Sequence, residues 1–350
     1  MTERIRQLID RLEQSRSLTV PEYAELVAGY SEEAAACLAD KARRACSRIY
    51  GDAVFIRGLI EIGNVCRNDC LYCGIRRSNR RCARYRLSAD QILSCCREGY
   101  ALGFRTFVLQ GGEDPSFSVE AVCALVRAIK AEFADCAVTL SLGEYPTAAY
   151  QAMFDAGADR YLLRHETADR AHYQSLHPPA LSFDNRMRCL RDLKAIGFQT
   201  GCGFMVGSPG QTAQTLAKDL KFVETFRPAM CGIGPFIPHK DTPFGDQPAG
   251  SVPLTLYLLS ILRLIQPNLL LPATTALGTL RSDGREQGML AGANVVMPNL
   301  SPPDAREKYT LYNGKLHSGA ESAQHLDELR RRMAAIGRRV VTDRGDAAPG

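Results

Sequence analysis

Short apolar runs rich in β-branched residues recur along the chain, and stretches with helical periodicity separate them. The runs predict eight strands, at residues 54–64, 106–112, 138–143, 160–167, 200–207, 231–237, 269–276 and 294–297. The stretches between them predict helices near 88–103, 118–132, 146–156, 183–196, 212–226, 252–266 and 282–291. Several of these helices start at a residue that can cap the first turn, such as Ser88, Ser118 and Thr212.

Eight strands that alternate with helices predict an α/β fold, a (β/α)8 barrel of the TIM type. An open doubly wound sheet is the alternative. The strand count favours the barrel, and so do the polar residues at the strand ends, where barrel enzymes carry their chemistry. We expect an N-terminal helical extension at 1–50, the barrel at 51–318, and at 319–350 a C-terminal region with a basic helix over 320–338 and a frayed tail after Arg339.

Composition adds little to this picture except through the cysteines. The net charge of +5 and the 45% of hydrophobic residues are ordinary for a globular chain of 350 residues. The longest apolar stretch, 254–265, is shorter than the roughly 20 residues of a membrane span, and residues 1–14 lack the apolar core of a signal peptide. We therefore expect a cytoplasmic protein without a membrane partner. Thirteen cysteines in such a chain predict free thiols in a reducing compartment rather than a disulfide framework.

Three of the cysteines form a tight motif directly after the first predicted strand. Cys66, Cys70 and Cys73 have the spacing C-x3-C-x2-C. Three thiolates suit three irons of a cubane cluster and leave the fourth iron open to another ligand. A structural zinc site needs four ligands, so His165 or Cys82 would have to complete it. Buried cysteines without any metal are the remaining alternative.

This motif, with an aromatic residue before its last cysteine, resembles the signature of the radical S-adenosylmethionine (SAM) superfamily. The resemblance implies that SAM chelates the open iron of a [4Fe-4S] cluster. It further implies that one electron from the cluster cleaves SAM to methionine and a 5′-deoxyadenosyl radical. Tyr72 is the aromatic residue and would lie near the adenine, although a core aromatic side chain is the structural alternative.

The same resemblance assigns SAM contacts to residues at the ends of several strands. Gly111, Gly112 and Glu113 look like the family's Gly-Gly-Glu motif, which contacts the SAM amine. Strand alternation places Arg164 and Glu166 on one face, where they and Arg186 are suited to the SAM carboxylate and to its ammonium or ribose. A structural ion pair between Arg164 and Glu166 is the alternative. The other cofactor contacts expected are Ser141, Pro235 and Phe236.

An ordered series of sequence blocks narrows the resemblance to the biotin-synthase-like branch, and within it to maturases of [FeFe]-hydrogenase. The blocks include 55–58, 109–115, 139–144, 158–167, 232–239, 272–279, 294–299 and 309–312, and they cover about residues 54 to 316. This similarity implies an organometallic substrate, a small cysteine-ligated iron carbonyl/cyanide unit whose cysteine sulfur the adenosyl radical attacks.

The barrel cavity would hold that substrate, and the residues expected to line it are Thr139, Arg160, Thr274, Thr275, Met297, Tyr309 and Tyr312. Arg160 and the threonine hydroxyls suit a carboxylate or a cyanide, while strand-end capping is the alternative for Thr274 and Thr275. Two other functions stay open at this point. One is a methylornithine-synthase-like mutase acting on an amino acid, and the other is an iron–sulfur carrier without catalysis.

A basic run follows the cysteine motif and consists of Arg76, Arg77, Arg80, Arg81, Arg84 and Arg86. It suits an acidic partner such as an electron donor or another maturation protein, and a solvated loop neutralised by nearby acids is an equal alternative. RNA is not expected, because few aromatic residues interleave.

Some members of the resembled family hold a second cluster near the C-terminus. The corresponding segment here, 314–322, contains no cysteine, and none follows Cys231. We therefore expect one cluster per chain.

Overall fold

Fourteen helices and eleven strands, all within residues 1–349, make up the part of the chain that the computed structural model describes. The helices are α1 Glu3–Ser15, α2 Val20–Ala28, α3 Glu32–Tyr50, α4 Ala89–Ala101, α5 Val119–Glu132, α6 Thr147–Asp155, α7 Arg170–Leu176, α8 Phe183–Ile196, α9 Ala213–Phe226, α10 Val252–Ile265, α11 Thr275–Leu280, α12 Gly284–Leu290, α13 Pro303–Arg306 and α14 Leu326–Ala335. The strands are β1 Ala53–Ile56, β2 Gly58–Gly63, β3 Thr106–Gly111, β4 Ala137–Ser141, β5 Arg160–Leu162, β6 Gln199–Cys202, β7 Met205–Val206, β8 Met230–Cys231, β9 Gly234–Pro235, β10 Val295–Val296 and β11 Arg339–Val341.

The strands form a parallel ring. Strands β2, β3, β4, β5, β6 and β8 lie side by side in that order. Single parallel bridges then continue the circuit, joining Met230 to Leu270, Pro272 to Val295, and Leu59 to Asn299. The predicted α/β barrel is therefore confirmed, and its last third is held by isolated bridges rather than by long ladders.

The helices around the ring begin where the capping residues predict. Ser88 accepts a hydrogen bond from the Gln91 amide and Thr212 accepts one from the Thr215 amide, each in a capping box. The three helices before the barrel pack on its outer helices, where Tyr23 of α2 donates to Glu224 of α9 and Tyr257 of α10 donates to the Leu26 carbonyl. The domain boundaries at residues 50 and 318 stay a prediction. Among residues 1–349, no helix combines the length and the apolar character needed to cross a bilayer.

The first predicted strand, 54–64, is divided at Arg57 because its two halves have different neighbours. Strand β1 pairs with β10 and β11, whereas β2 pairs with β3. The predicted strand 160–167 ends at Leu162, and the predicted strands 200–207 and 231–237 are each divided in two, with the second halves, β7 and β9, paired with each other. Segment 269–276 contributes only bridges, and Thr274 precedes helix α11. Helices α7, α11 and α13 were not predicted.

The tail after Arg339 is the main correction to the predicted fold. It is not frayed: β11 pairs in parallel with β1, and the Arg339 amide donates to the Asp52 carbonyl at 2.9 Å. The free edge of β1 offers unpaired backbone groups that this last strand satisfies. The predicted helix over 320–338 is shorter, because two 3-10 turns, Gly319–Glu321 and Ala323–His325, precede α14.

Candidate active site

The loop that carries the three cysteines is anchored at both ends. At its start, Asn64 Nδ2 donates to the Lys308 carbonyl at 2.8 Å. At its end, the Gly74 amide donates to the Leu311 carbonyl at 2.8 Å, and a Cβ atom on Gly74 would lie 2.1 Å from the Thr310 carbonyl. The segment 308–311 therefore supports the cysteine loop, and Gly74 is required by this close approach.

The three residues of the motif, Cys66, Cys70 and Cys73, are half-buried and have free thiols. Burial raises the pKa of the Cys73 thiol well above its ordinary value, and the charges of Cys70 and Cys66 add to the rise. Burial also raises the pKa of Cys70 to about 12, opposed by Arg186 and reinforced by Cys66. Thiols that disfavour one another's ionisation in this way are stabilised as thiolates when metal replaces their protons.

The donor set fits a cubane cluster better than a single ion. In the described part of the chain, no three His, Cys, Asp or Glu side chains converge on one ion position. Each cysteine of a cubane binds a different iron, so the thiols need not converge. His165, a candidate fourth zinc ligand, is engaged elsewhere, because its Nδ1 accepts a hydrogen bond from the Gly203 amide at 3.3 Å.

An aromatic and apolar wall lies beside the cysteines. His177 Nδ1 is 2.9 Å from the Tyr173 carbonyl and must donate to it, so His177 Nε2 accepts the hydrogen bond of the Tyr72 hydroxyl at 3.1 Å. Tyr72 also packs with Phe236 on a small apolar cluster that contains Leu176 and Met205. The structure thus brings together Tyr72 and Phe236, two of the side chains expected to contact the cofactor.

The Gly-Gly-Glu segment lies directly against the cysteine loop. A Cβ atom on Gly112 would lie 2.3 Å from the Val65 carbonyl and 2.7 Å from Cys66 Cβ. Glu113 Oε2 accepts from Arg67 Nε at 3.1 Å, and its Oε1 accepts from the Glu144 amide at 2.9 Å. Glu113 is therefore held in place beside the cluster loop, with an arginine of that loop as its partner.

Arg164 and Glu166 face each other, as predicted, and form an ion pair. Arg164 Nη2 and Glu166 Oε2 are 3.2 Å apart, without hydrogen-bond geometry, and Arg164 Nε has no hydrogen-bond partner among the described residues. Glu166 has a left-handed backbone with φ of 64°, which is strained for a residue with a side chain. A buried ion pair that lacks hydrogen bonds leaves polar atoms that a bound polar ligand would satisfy.

Arg186 does not join Arg164 in a free clamp. Its Nη1 donates to the Arg164 carbonyl at 2.6 Å, and its Nε forms a buried ion pair with Glu144. Glu144 also accepts from Asn185. Arg186 therefore orients the backbone of Arg164, whose Nε remains without a hydrogen-bond partner among the described residues.

The barrel interior below the cysteine loop carries a polar layer. Glu61, Gln110 and Ser141 are in register on β2, β3 and β4, so their side chains share the inner face. Gln110 donates to the Tyr309 hydroxyl at 3.4 Å. One layer lower, Thr139 is buried and its hydroxyl has no partner within residues 1–349.

Of the other residues expected to bind substrate, Thr274 has a free hydroxyl, whereas Thr275 and Met297 are engaged elsewhere. Thr274 Oγ1 is buried without a hydrogen-bond partner in the described chain. Thr275 instead donates to Glu321 at 2.8 Å, and Tyr312 is half-buried. Met297 packs against a lower apolar cluster formed by Phe55, Met230, Leu270 and Val295. Thr139 and Thr274 are thus the threonine hydroxyls left for a ligand.

Arg160 is a correction, because it lies at the lower end of the barrel and its donors are occupied. Its guanidinium donates to Thr106 Oγ1 at 2.9 Å, to the Arg344 carbonyl at 2.8 Å and to Asp346 at 2.6 Å. Burial alone would raise the pKa of Asp346, but hydrogen bonds and the charge of Arg160 lower it. Arg160 therefore anchors the C-terminal tail rather than a substrate.

Sequence reasoning missed several residues of this site. Glu144, His177 and Arg67 hold predicted residues in place, and Lys315 reaches Glu61 inside the barrel at 2.7 Å. Only Glu61 gave a local signal, because it is a carboxylate within an otherwise apolar strand. The others pair with residues far away in the sequence, and no local pattern marks such pairs.

The basic run is mostly neutralised within the protein. Arg84 donates to four backbone carbonyls of the cysteine loop and its extension. Arg76 pairs with Asp69, Arg86 with Asp114, and Arg81 with Asp241. Arg77 and Arg80 are exposed and have no acidic partner among the described residues.

A three-cysteine loop after the first strand of a parallel barrel, with polar groups open to a ligand beside it, defines a class of enzyme. The chain belongs to the radical SAM superfamily, whose family profile matches residues 60–223, and this membership implies a [4Fe-4S] cluster and SAM.

Within that class, the sequence is 44% identical over 308 residues to the [FeFe] hydrogenase maturase subunit HydE of Thermotoga maritima, a match that covers 88% of this chain and 87% of that protein. A biotin synthase of Rippkaea orientalis is 26% identical over 303 residues, covering 82% of this chain and 78% of that protein. The crystal structure of methylornithine synthase (PylB) superposes with a TM-score of 0.83 at 27% identity, over 95% of this chain and 97% of that one. The resemblance inferred from the sequence blocks is confirmed.

Proposed function

We propose that this enzyme takes part in maturing the di-iron subcluster of [FeFe]-hydrogenase, acting on a small cysteine-ligated iron carbonyl/cyanide precursor. The observation that carries the proposal is a juxtaposition. The loop 66–73 and the Arg164–Glu166 ion pair, whose facing atoms lack hydrogen bonds among the described residues, lie above a barrel interior with free hydroxyls. The 44% identity to HydE supports this substrate.

The residues fit one cluster and one SAM molecule. Cys66, Cys70 and Cys73 would hold a single [4Fe-4S] cluster, while Arg164 and Glu166 would take the SAM carboxylate and ammonium. When bound, this pair of cofactors supplies the reductive cleavage of SAM that yields the 5′-deoxyadenosyl radical. The protein's own part is to position the reactants and to keep water from them.

Contacts within the protein bound the interior at both ends. At the lower end, the tail closes the barrel through β11 and the Arg160–Asp346 ion pair. At the upper end, the cysteine loop is fastened to segment 308–311 by backbone hydrogen bonds. Such a closed interior suits radical chemistry, because reactive intermediates are kept from solvent.

The two alternative functions are less well supported. A methylornithine-synthase-like mutase would share this barrel, but identity to PylB is 27%, against 44% to HydE. A carrier without catalysis would have no use for the buried Arg164–Glu166 pair beside the cysteines, in which Arg164 Nε has no hydrogen-bond partner among the described residues. This pair instead favours an enzyme that binds SAM.

Partners and compartment follow from charge and redox state. Arg77 and Arg80 are exposed next to the cluster loop and suit an acidic electron donor or another maturation protein. The thirteen cysteines are free thiols, which supports a reducing cytoplasmic compartment. Neither a membrane nor a nucleic acid is an expected partner.

Anaerobic turnover tests the proposal. Reconstituted, reduced protein is mixed with SAM and with an iron carbonyl/cyanide complex of L-cysteine, and 5′-deoxyadenosine is followed by chromatography. We expect the complex to stimulate formation, L-lysine to give neither stimulation nor methylornithine, and Cys73→Ser to abolish it. Stimulation by L-lysine with formation of methylornithine would establish the mutase instead, and no SAM cleavage at all would favour the carrier.

A further inference from the structure

A charged pair inside the barrel, Glu61 and Lys315, has been given no role so far. Glu61 of β2 is fully buried, and its Oε1 lies 2.7 Å from Lys315 Nζ. Its Oε2 accepts from Asn299 Nδ2 at 2.9 Å. The Lys315 side chain is only 9% exposed, although it comes from the irregular segment 313–318 that follows the last tyrosine of the C-terminal block.

The pair lies in the polar layer directly below the cysteine loop. Glu61 is opposite Gln110 in the ladder, and Gln110 donates to the Tyr309 hydroxyl. The Lys315 ammonium is 5.1 Å from the centre of the Tyr309 ring, a favourable cation–π distance. Because Glu61 is three residues before the loop begins at Asn64, this ammonium lies at the level where a substrate would meet SAM.

A contribution to folding stability does not explain why Glu61 and Lys315 are buried as an ion pair. Burying two charges costs more than their attraction usually returns, and apolar residues of similar volume often do as well or better. Lys315 Nζ has three N–H donors, and in the described chain Glu61 is its one hydrogen-bond partner. Two donors therefore remain for a ligand.

Two other buried cations of the barrel are already paired with carboxylates. Arg160 is paired with Asp346 at the lower end, and Arg186 is paired with Glu144 on the SAM side. An anionic group that enters the upper cavity thus finds free donors on Lys315.

We propose that Lys315 binds the carboxylate of the amino acid that ligates the substrate iron, and that Glu61 is a positioning residue that holds the ammonium in place. This inference rests on the proposed function and names the part of the substrate that is recognised. The substrate carries two sources of negative charge, the carboxylate and the cyanide, and both suit an ammonium. The carboxylate offers two acceptor oxygens for the two remaining donors, so it is the better match.

Two matched probes distinguish binding of the carboxylate from binding of the cyanide. One is the iron carbonyl/cyanide complex of L-cysteine, and the other is the same complex made with cysteamine, which lacks the carboxylate. Binding of each to anaerobic, SAM-loaded protein is measured by calorimetry. We expect Lys315→Met to weaken binding of the cysteine complex by about ten- to a hundredfold and to leave the cysteamine complex unchanged. Glu61→Gln is expected to weaken binding of the cysteine complex by a smaller factor. Lys315→Arg is expected to retain most of the affinity for that complex.

An equal loss of affinity for both probes in Lys315→Met would show that Lys315 contacts the cyanide or only supports the fold. No loss of affinity for either probe would show that Lys315 does not contact the substrate. SAM affinity and 5′-deoxyadenosine formation without substrate are measured on every variant to confirm an intact site. If the unmodified protein binds neither complex, the proposed function is wrong. The same variants are then compared on L-lysine and its decarboxylated analogue cadaverine, and unchanged affinity of Lys315→Met for L-lysine overturns the Lys315 proposal as well.

Discussion

Replacing Gly112 by alanine tests whether the cluster loop depends on close backbone contact. The added Cβ atom would lie 2.3 Å from the Val65 carbonyl oxygen and 2.7 Å from Cys66 Cβ. Ordinary contact begins near 3.4 Å, so the backbone next to the first cysteine must move by about 1 Å. Such overpacking costs about 1–3 kcal/mol, and a displacement of this size at a reacting group lowers rates about a hundredfold.

The assay is anaerobic reconstitution of Gly112→Ala followed by measurement of bound iron and of 5′-deoxyadenosine formation. We expect less iron and a rate lowered by one to two orders of magnitude, or about 1.4–2.7 kcal/mol. Gly232→Ala is the matched control, because its Cβ would meet only Pro272 Cγ, at 3.8 Å. Equal iron content and equal rates in the two variants would refute the steric argument.

Three further predictions address the SAM site, the cluster and the tail. Glu166→Gln is expected to keep the cluster and to weaken SAM binding by roughly ten- to a hundredfold; unchanged affinity in calorimetry would make Glu166 structural. Reconstitution is expected to give about four irons per chain, and a Cys66/Cys70/Cys73 triple alanine variant none; a count near eight would reveal a second cluster. The lowered pKa of Asp346 in the folded state means that its contribution to stability is present at neutral pH and is lost as the pH falls. Asp346→Asn should therefore lower stability by about 1–2 kcal/mol at pH 7, because the carboxylate is partly exposed, and should flatten the acid side of the melting-temperature profile; an unchanged profile would contradict this.

Local signals account for the parts of the fold that the sequence predicts well. Helix α8 spans the predicted range, and the capping residues Ser88, Ser118 and Thr212 mark the starts of α4, α5 and α9. Strand ends were predicted less well, because ring closure depends on pairing between distant segments. The division at Arg57 and the pairing of β11 follow from such neighbours and leave no local pattern.

In the site, too, features set by local sequence were predictable and those set by distant partners were not. The cysteine loop and the facing pair Arg164 and Glu166 were predictable, since spacing and strand alternation are local properties. Arg160 was misplaced because its partner, Asp346, lies 186 residues further along the chain. A charge at a strand start looks the same in sequence whether it meets a substrate or the protein's own C-terminus.

The pairing of β11 with β1 also has a consequence for how the protein folds. Arg339 pairs with Asp52, next to the first strand, across 287 residues of sequence. Contacts of such large sequence separation are slow to form, since the entropy of closing the long intervening loop must be lost first. We therefore expect the lower end of the barrel to close late in folding, after the ladder from β2 to β8 has formed.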